Sequence, residues 1–277
     1  MKIQPNLFFK EALLFATTLA LGLFVSVRYL FLLTGINTVS PTSLTVGDLV
    51  VFVMGLTLVW FISRVPKMAY WLFWIFISSL IFSGSQIAAA SIVGFPVDVV
   101  SGVLVLLCFL TVRKVLVHDL AVVLAIAGLA GTIGIIIDPK IAIYGLVLFS
   151  FYDIVAVYKT KHMVQMAQSM VRTGAIFGFI IPKSFNLFLA STKEAKDRIG
   201  NDFTLLGSGD VALPLIFICS LVQESLGQAI VVAVFSLFGL LITHVLFINQ
   251  AERKPMAALP PIAMMTLIGY LIALLII

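Results

Sequence analysis

The sequence predicts an all-α membrane protein of nine transmembrane helices, with a cytoplasmic N-terminus and the C-terminus outside. Composition, the spacing of apolar runs and the placement of basic residues predict it. Of 277 residues, 62% are hydrophobic and 10% charged, and the mean hydropathy is +1.21. Those values lie far outside the soluble range. A net charge of +5 would suggest nucleic acid in a soluble chain. Here the basic residues sit in short loops between apolar runs, where they orient spans, and no nucleic-acid motif accompanies them.

A helix crosses hydrocarbon in about 20 residues. Cutting the chain at charges, prolines and glycines gives the spans in order. The first, Phe8 to Leu33, has only Arg28 to interrupt its apolar run from Ala12, and it lacks a small-residue cleavage site, so it reads as an uncleaved span. Arg64 and Lys67 separate Val46 to Ser63 from Ala69 to Ser91. Val97 to Val112 is short and ends at Arg113 and Lys114. Leu120 to Ile137 and Ile141 to Tyr158 part at Asp138, Pro139 and Lys140. Phe203 to Val222 and Leu226 to Ile248 nearly touch, but together they are twice the needed length, and Glu224 belongs at an interface. Met256 to Ile276 closes the series. Alternating sides then places every Lys and Arg except Lys140 and Arg28 on one side, which the positive-inside rule makes cytoplasmic. An even number of spans would scramble that segregation.

The chain therefore divides into residues 1–158 with spans one to six, a cytoplasmic loop over 159–202, and residues 203–277 with spans seven to nine. No internal repeat is visible. The loop is basic in its first part and contains an apolar stretch, "GAIFGFIIPKSFNLFLAS", which Pro182 and Lys183 split into pieces too short to span. It is expected at the interface or against the bundle. Cys108 and Cys219 fall inside apolar runs and read as packing residues, not as a disulfide or metal site. His118, His162 and His244 lie in or near span ends and read as interfacial. No cofactor or metal is expected.

Ten of the twelve acidic residues are placed at span ends or in loops. Asp153, in "LVLFSFYDIVAVY", and Asp210, in "LLGSGDVALP", lie inside spans six and seven. A carboxylate at such depth costs at least about 2.5 kcal/mol and is by default a functional hypothesis. Asp153 precedes Lys159 by six residues and Asp210 follows Asp202 by eight. On a helical rise these are about 9 and 12 Å. In antiparallel neighbours the two carboxyls can meet.

Facing carboxyls cannot both ionise easily, so they share a proton and can hold a water. One member can deprotonate that water as it attacks a peptide carbonyl while the other protonates the carbonyl oxygen. Gly207 and Gly209, lacking Cβ, allow a substrate backbone to approach. Two other readings stay open: structural pairing with a hydroxyl such as Tyr152 or Tyr158, and an ion site in a channel or a proton- or cation-coupled carrier. Pro255, Pro260 and Pro261 around "PMAALPPIAMM" interrupt regular helix before span nine. Backbone left unpaired there could bind an extended substrate; equally, the prolines could be an ordinary helix start.

In this order the residues resemble the intramembrane aspartyl proteases that include presenilin and signal peptide peptidase. "YD" at Tyr152 and Asp153 resembles the family's sixth-span motif, "GSGD" at Gly207, Ser208, Gly209 and Asp210 its GxGD motif, and "AALP" at Ala257, Ala258, Leu259 and Pro260 its PALP motif. The resemblance implies a catalytic pair of Asp153 and Asp210, with Ala258, Leu259 and Pro260 shaping the site beside it. It also implies that the 159–202 loop would hold any self-cleavage region. Ala257 replaces the first proline of PALP, and Ser208 a leucine common in the variable position of GxGD. The cytoplasmic N-terminus favours the presenilin-like branch in a compact microbial form, located in the plasma membrane. Its substrates would be single-span membrane proteins within the lipid bilayer. Accessory subunits and homo-oligomers stay open. Serine and zinc alternatives lack their motifs, since no G-x-S-G or H-E-x-x-H is present.

Overall fold

The structure, a computed structural model, describes residues 4–34, 66–250 and 255–276. The expected second span, Val46 to Ser63, lies outside the described residues.

The described helices are α1 (Pro5–Thr34), α2 (Pro66–Ala90), α3 (Val97–Thr111), α4 (Val115–Ile136), α5 (Pro139–Ile154), α6 (His162–Thr173), α7 (Thr192–Asp197), α8 (Ser208–Ser220), α9 (Leu226–Ile248) and α10 (Leu259–Ile276). Among the described residues, six helical stretches are long and apolar enough to span a membrane, and α3 and α8 are shorter apolar helices. The chain is a multi-pass integral membrane protein. Local chemistry sets several boundaries. Pro139 starts α5 behind Asp138, whose carboxylate accepts from the Lys140 N–H at 2.8 Å. The expected turn between the seventh and eighth spans is a short 3₁₀ segment, Leu221–Gln223, after which Ser225 caps α9 through the Gln228 N–H.

Helix α4 is the hub, packed against α1, α2 and α8. Lipid gives little hydrophobic drive for helix association, so close backbone packing must supply it. Three glycines on α4 do this for three neighbours. A Cβ on Gly128 would lie 1.9 Å from the Gly84 carbonyl oxygen of α2, one on Gly131 2.8 Å from the Gly22 oxygen of α1, and one on Gly134 2.4 Å from Cβ of Cys219 on α8. Leu14, Phe15, Val122, Ile126, Val211 and Leu215 fill the junction of α1, α4 and α8.

The 159–202 segment departs from a simple loop. It is entered through a π-helical turn (Val155–Lys159) extending α5 and continues through α6. Gly178–Pro182 then forms strand β1, antiparallel to β2 (Phe203–Gly207). The sequence reading made Phe203–Gly207 the start of a helix. Its apolar residues instead pair with Gly178–Pro182, burying Phe179, Ile180 and Ile181 completely, and α8 begins only at Ser208. Of the two placements expected for the apolar loop stretch, this part takes the one against the bundle.

Candidate active site

Asp153 sits in the last turn of α5, next to the wider π-helical turn, and is 4% exposed. One of its oxygens accepts from the backbone N–H of Leu259, the first residue of α10, at 3.3 Å. The prolines explain why that amide is available. Pro260 and Pro261 lie in the first turn, where N–H groups lack intrahelical partners, and proline has none to offer. Leu259 therefore presents its N–H at the positive end of the helix dipole.

Asp210 is the third residue of α8, and its carboxylate accepts from the backbone N–H of Gly207, the residue that caps the helix. This is half of a capping box, closed by an aspartate. Gly207 is required by the arrangement, because a Cβ there would stand 2.9 Å from Oδ2 of Asp210. Around Gly209 no atom lies within 4 Å of where a Cβ would be, so the first turn of α8 is open on that side. Helices α5, α8 and α10 pack together, and the Asp153 and Asp210 carboxyls lie within electrostatic reach of each other. Two carboxyls from separate helices, each held by a backbone amide near a helix N-terminus, are thus brought within electrostatic reach of each other.

The family described as "Signal-peptide peptidase, presenilin aspartyl protease" matches residues 23–277. The chain belongs to this family. Two solved structures of a presenilin family intramembrane aspartate protease share the fold. The one in space group C222 has a TM-score of 0.62 and 21% identity over 98% of this chain and 99% of the other. The one in P2 has 0.56 and 20% over 94% and 97%. A search of curated proteins returns no significant match.

In this member of the presenilin and signal-peptide peptidase family, the residues singled out in the sequence do not all converge. Ser208 donates to the Phe177 carbonyl at 3.0 Å, tying the start of α8 to the residue before β1. Tyr152 is exposed, as is Tyr158, while Asp153 is buried. Ala257 is buried. The Ala258 carbonyl accepts from Thr243 on α9 at 3.3 Å, one residue before the amide that binds Asp153. Pro260 stands in the first turn of α10.

Other polar groups escaped the sequence reading. Thr243 is one. His118 and His244, read as interfacial, are both buried. His118 bonds the Gly178 carbonyl at 3.0 Å, and His244 pairs with Glu11 of α1 at 2.6 Å. Asp119, placed at a span end, is 0% exposed and accepts from the Ile180 N–H at 2.9 Å. Lys10, 1% exposed, donates to the carbonyls of Pro182 and Lys183. Adjacent "HD" at the head of an apolar run was the available signal for α4. A partner 233 residues away leaves none for Glu11 and His244.

Proposed function

We propose that the chain is an intramembrane aspartyl endopeptidase that hydrolyses peptide bonds within single-span transmembrane helices, with Asp153 and Asp210 as the catalytic pair. The observation that carries this reading is the packing of α5, α8 and α10, which brings the two carboxyls within electrostatic reach of each other, each beside a backbone amide. In the first step the ionised carboxylate takes a proton from water as the water oxygen bonds to the scissile carbonyl carbon, while the protonated partner gives its proton to the carbonyl oxygen. In the second step the tetrahedral intermediate returns that hydroxyl proton, the amide nitrogen is protonated by the other aspartyl group, and the C–N bond breaks. Acid and amine leave, and the pair again holds one proton.

A helical peptide bond is shielded by its own hydrogen bonds, so the substrate must first be extended. The β1–β2 pair suits that need. The Ile180 N–H faces Asp119, so Phe179 and Ile181 face β2, where their register partners are Leu206 and Thr204. Strand geometry then turns Leu205 and Gly207 toward the opposite edge. On that edge Phe203, at the end far from Asp210, bridges Ile199 and bonds Arg198 and Gly200, whereas Leu205 and Gly207 have no neighbouring strand among the described residues, and the edge ends three residues before Asp210. An extended substrate segment joining it is delivered to the carboxyls. On the same reading there are nine spans, the N-terminus and the 159–202 segment are cytoplasmic, substrates have their N-termini outside, and a microbial protein of this kind sits in the plasma membrane.

The test is proteolysis of a single-span substrate by purified protein in detergent, compared with Asp153→Ala and Asp210→Ala. Loss of cleavage in both supports the pair. Undiminished cleavage in either, or no cleavage together with ion flux that depends on the aspartates, overturns it.

A further inference from the structure

The edge of β1 that faces away from β2 is closed by side chains. Along it the backbone groups on one side are the Gly178 carbonyl, the Ile180 N–H and the Pro182 carbonyl. Each has a side-chain partner: His118 at 3.0 Å, Asp119 at 2.9 Å and Lys10 at 2.8 Å. Two successive residues of α4 and one of α1 thereby bond alternate residues of the strand, as a neighbouring strand would. All three are buried, and Lys10 also lies over the Phe185 ring, 4.5 Å from its centroid. The second oxygen of Asp119 has no hydrogen-bond partner among the described residues. Bonding the strand is therefore the one polar contact shown for this fully buried carboxyl.

Burying polar groups at this depth is costly unless they perform a task. An apolar α4 would pack equally well against the buried side chains of β1, but it could neither bond the strand's amide and carbonyls nor oppose a sliding strand. Register in a short apolar pair is weakly specified by hydrophobic pattern alone. Here β1 is buried along its whole length, so the usual difference between a buried and a wet face is missing.

We propose that Lys10, His118 and Asp119 are positioning residues that close one edge of β1, hold its register with β2, and so decide which substrate peptide bond meets the aspartates. This rests on the protease reading above. The three side chains do two things at once. They block the β1 edge, so that only β2, which runs into Gly207 and Asp210, can accept a substrate strand. They also tie the hairpin to α4 and α1, so the open edge stays at a constant height relative to Asp153 and Asp210. Slippage by one residue would exchange the two faces of the strand, whereas slippage by two preserves them. A loosened hairpin therefore shifts the cleaved bond in steps of two residues.

The full chain in detergent provides the test, with Asp119→Ala, Asp119→Asn and Lys10→Met read by two methods. Amide hydrogen exchange over Gly178–Pro182 is expected to quicken about tenfold in Asp119→Ala, the scale of one lost buried hydrogen bond. Asp119→Asn retains an acceptor oxygen for the Ile180 N–H and should return exchange toward wild type. Lys10→Met keeps the apolar stem while losing both carbonyl bonds, and it carries the test if Asp119→Ala does not fold. Mass spectrometry of the products should show one main cleavage position in wild type and Asp119→Asn. Additional products two residues longer or shorter are expected in Asp119→Ala and Lys10→Met. Unchanged exchange over the strand, or faster exchange with a single unshifted cleavage position, overturns the proposal. A wild type that cleaves no substrate, or cleaves undiminished as Asp210→Ala, refutes the protease reading instead, and exchange still decides whether these side chains lock the strand.

Discussion

Gly239→Ala places one methyl group where α9 meets the start of α10. Its Cβ would lie 2.6 Å from Cα of Ile262 and 3.0 Å from the Pro261 carbonyl oxygen. Both are backbone atoms of a segment stiffened by adjacent prolines, so no side chain can swing aside. Ordinary contact begins near 3.4 Å, so the helices must part by roughly 0.8 Å. The Leu259 N–H already reaches Asp153 at 3.3 Å, and a further displacement of this size takes it beyond hydrogen-bond range. Overpacking of this kind costs about 1–3 kcal/mol of stability. Misplacement near 1 Å at a catalytic group lowers turnover by about 100-fold. Initial rates on a single-span substrate, with thermal unfolding of the same preparations, measure both. Gly145→Ala on α5 is the control, since nothing lies within 4 Å of its added Cβ. A Gly239→Ala enzyme with wild-type rate and unfolding temperature would show that the contact between α9 and α10 does not place Leu259 against Asp153.

Four further substitutions separate the contributions of single contacts. Gly207→Ala sets a methyl group against Oδ2 of Asp210 and is expected to lower kcat by at least about 100-fold, whereas Gly209→Ala, with open space around it, should leave the unfolding temperature unchanged and raise KM. Equal effects from the two glycines on kcat and KM would contradict the asymmetry. Thr243→Val removes the bond to the Ala258 carbonyl while keeping shape, so stability should fall by about 0.6 kcal/mol and turnover by more than that stability loss explains. A variant with wild-type kcat would mean that this bond does not position Leu259. Glu11→Ala leaves buried His244 without its partner and should destabilise the bundle by about 2 kcal/mol, read as a lower unfolding temperature. No shift would show the pair to be energetically silent.

Much of the bundle can be read in order along the chain, because a membrane helix needs only an uninterrupted local stretch of apolar residues. Asp153 and Asp210 stand out for the same reason: each is a carboxylate within such a stretch. The estimate that placed them at similar depth assumed helical rise from Asp202, yet Phe203–Gly207 is a strand, so Asp210 is three residues into its helix rather than eight. Their proximity comes from packing of α5, α8 and α10, with the hairpin delivering the chain to Gly207. "FTLLG" is as apolar as a helix start, and nothing local shows that "GFIIP" is its partner. Strand pairing is a choice between segments, and hydropathy does not carry it.

Local composition alone determined that this is a multi-span membrane chain with two carboxylates set inside apolar runs, because solvation by lipid acts on each segment separately. Tertiary structure alone decided which amide serves each carboxyl, that Gly207 must lack a side chain where Gly209 need not, and that Lys10, His118 and Asp119 close one edge of the hairpin. Those outcomes depend on hydrogen bonds and close contacts between segments far apart in sequence, and a buried polar group finds its partner only once the surrounding helices have packed.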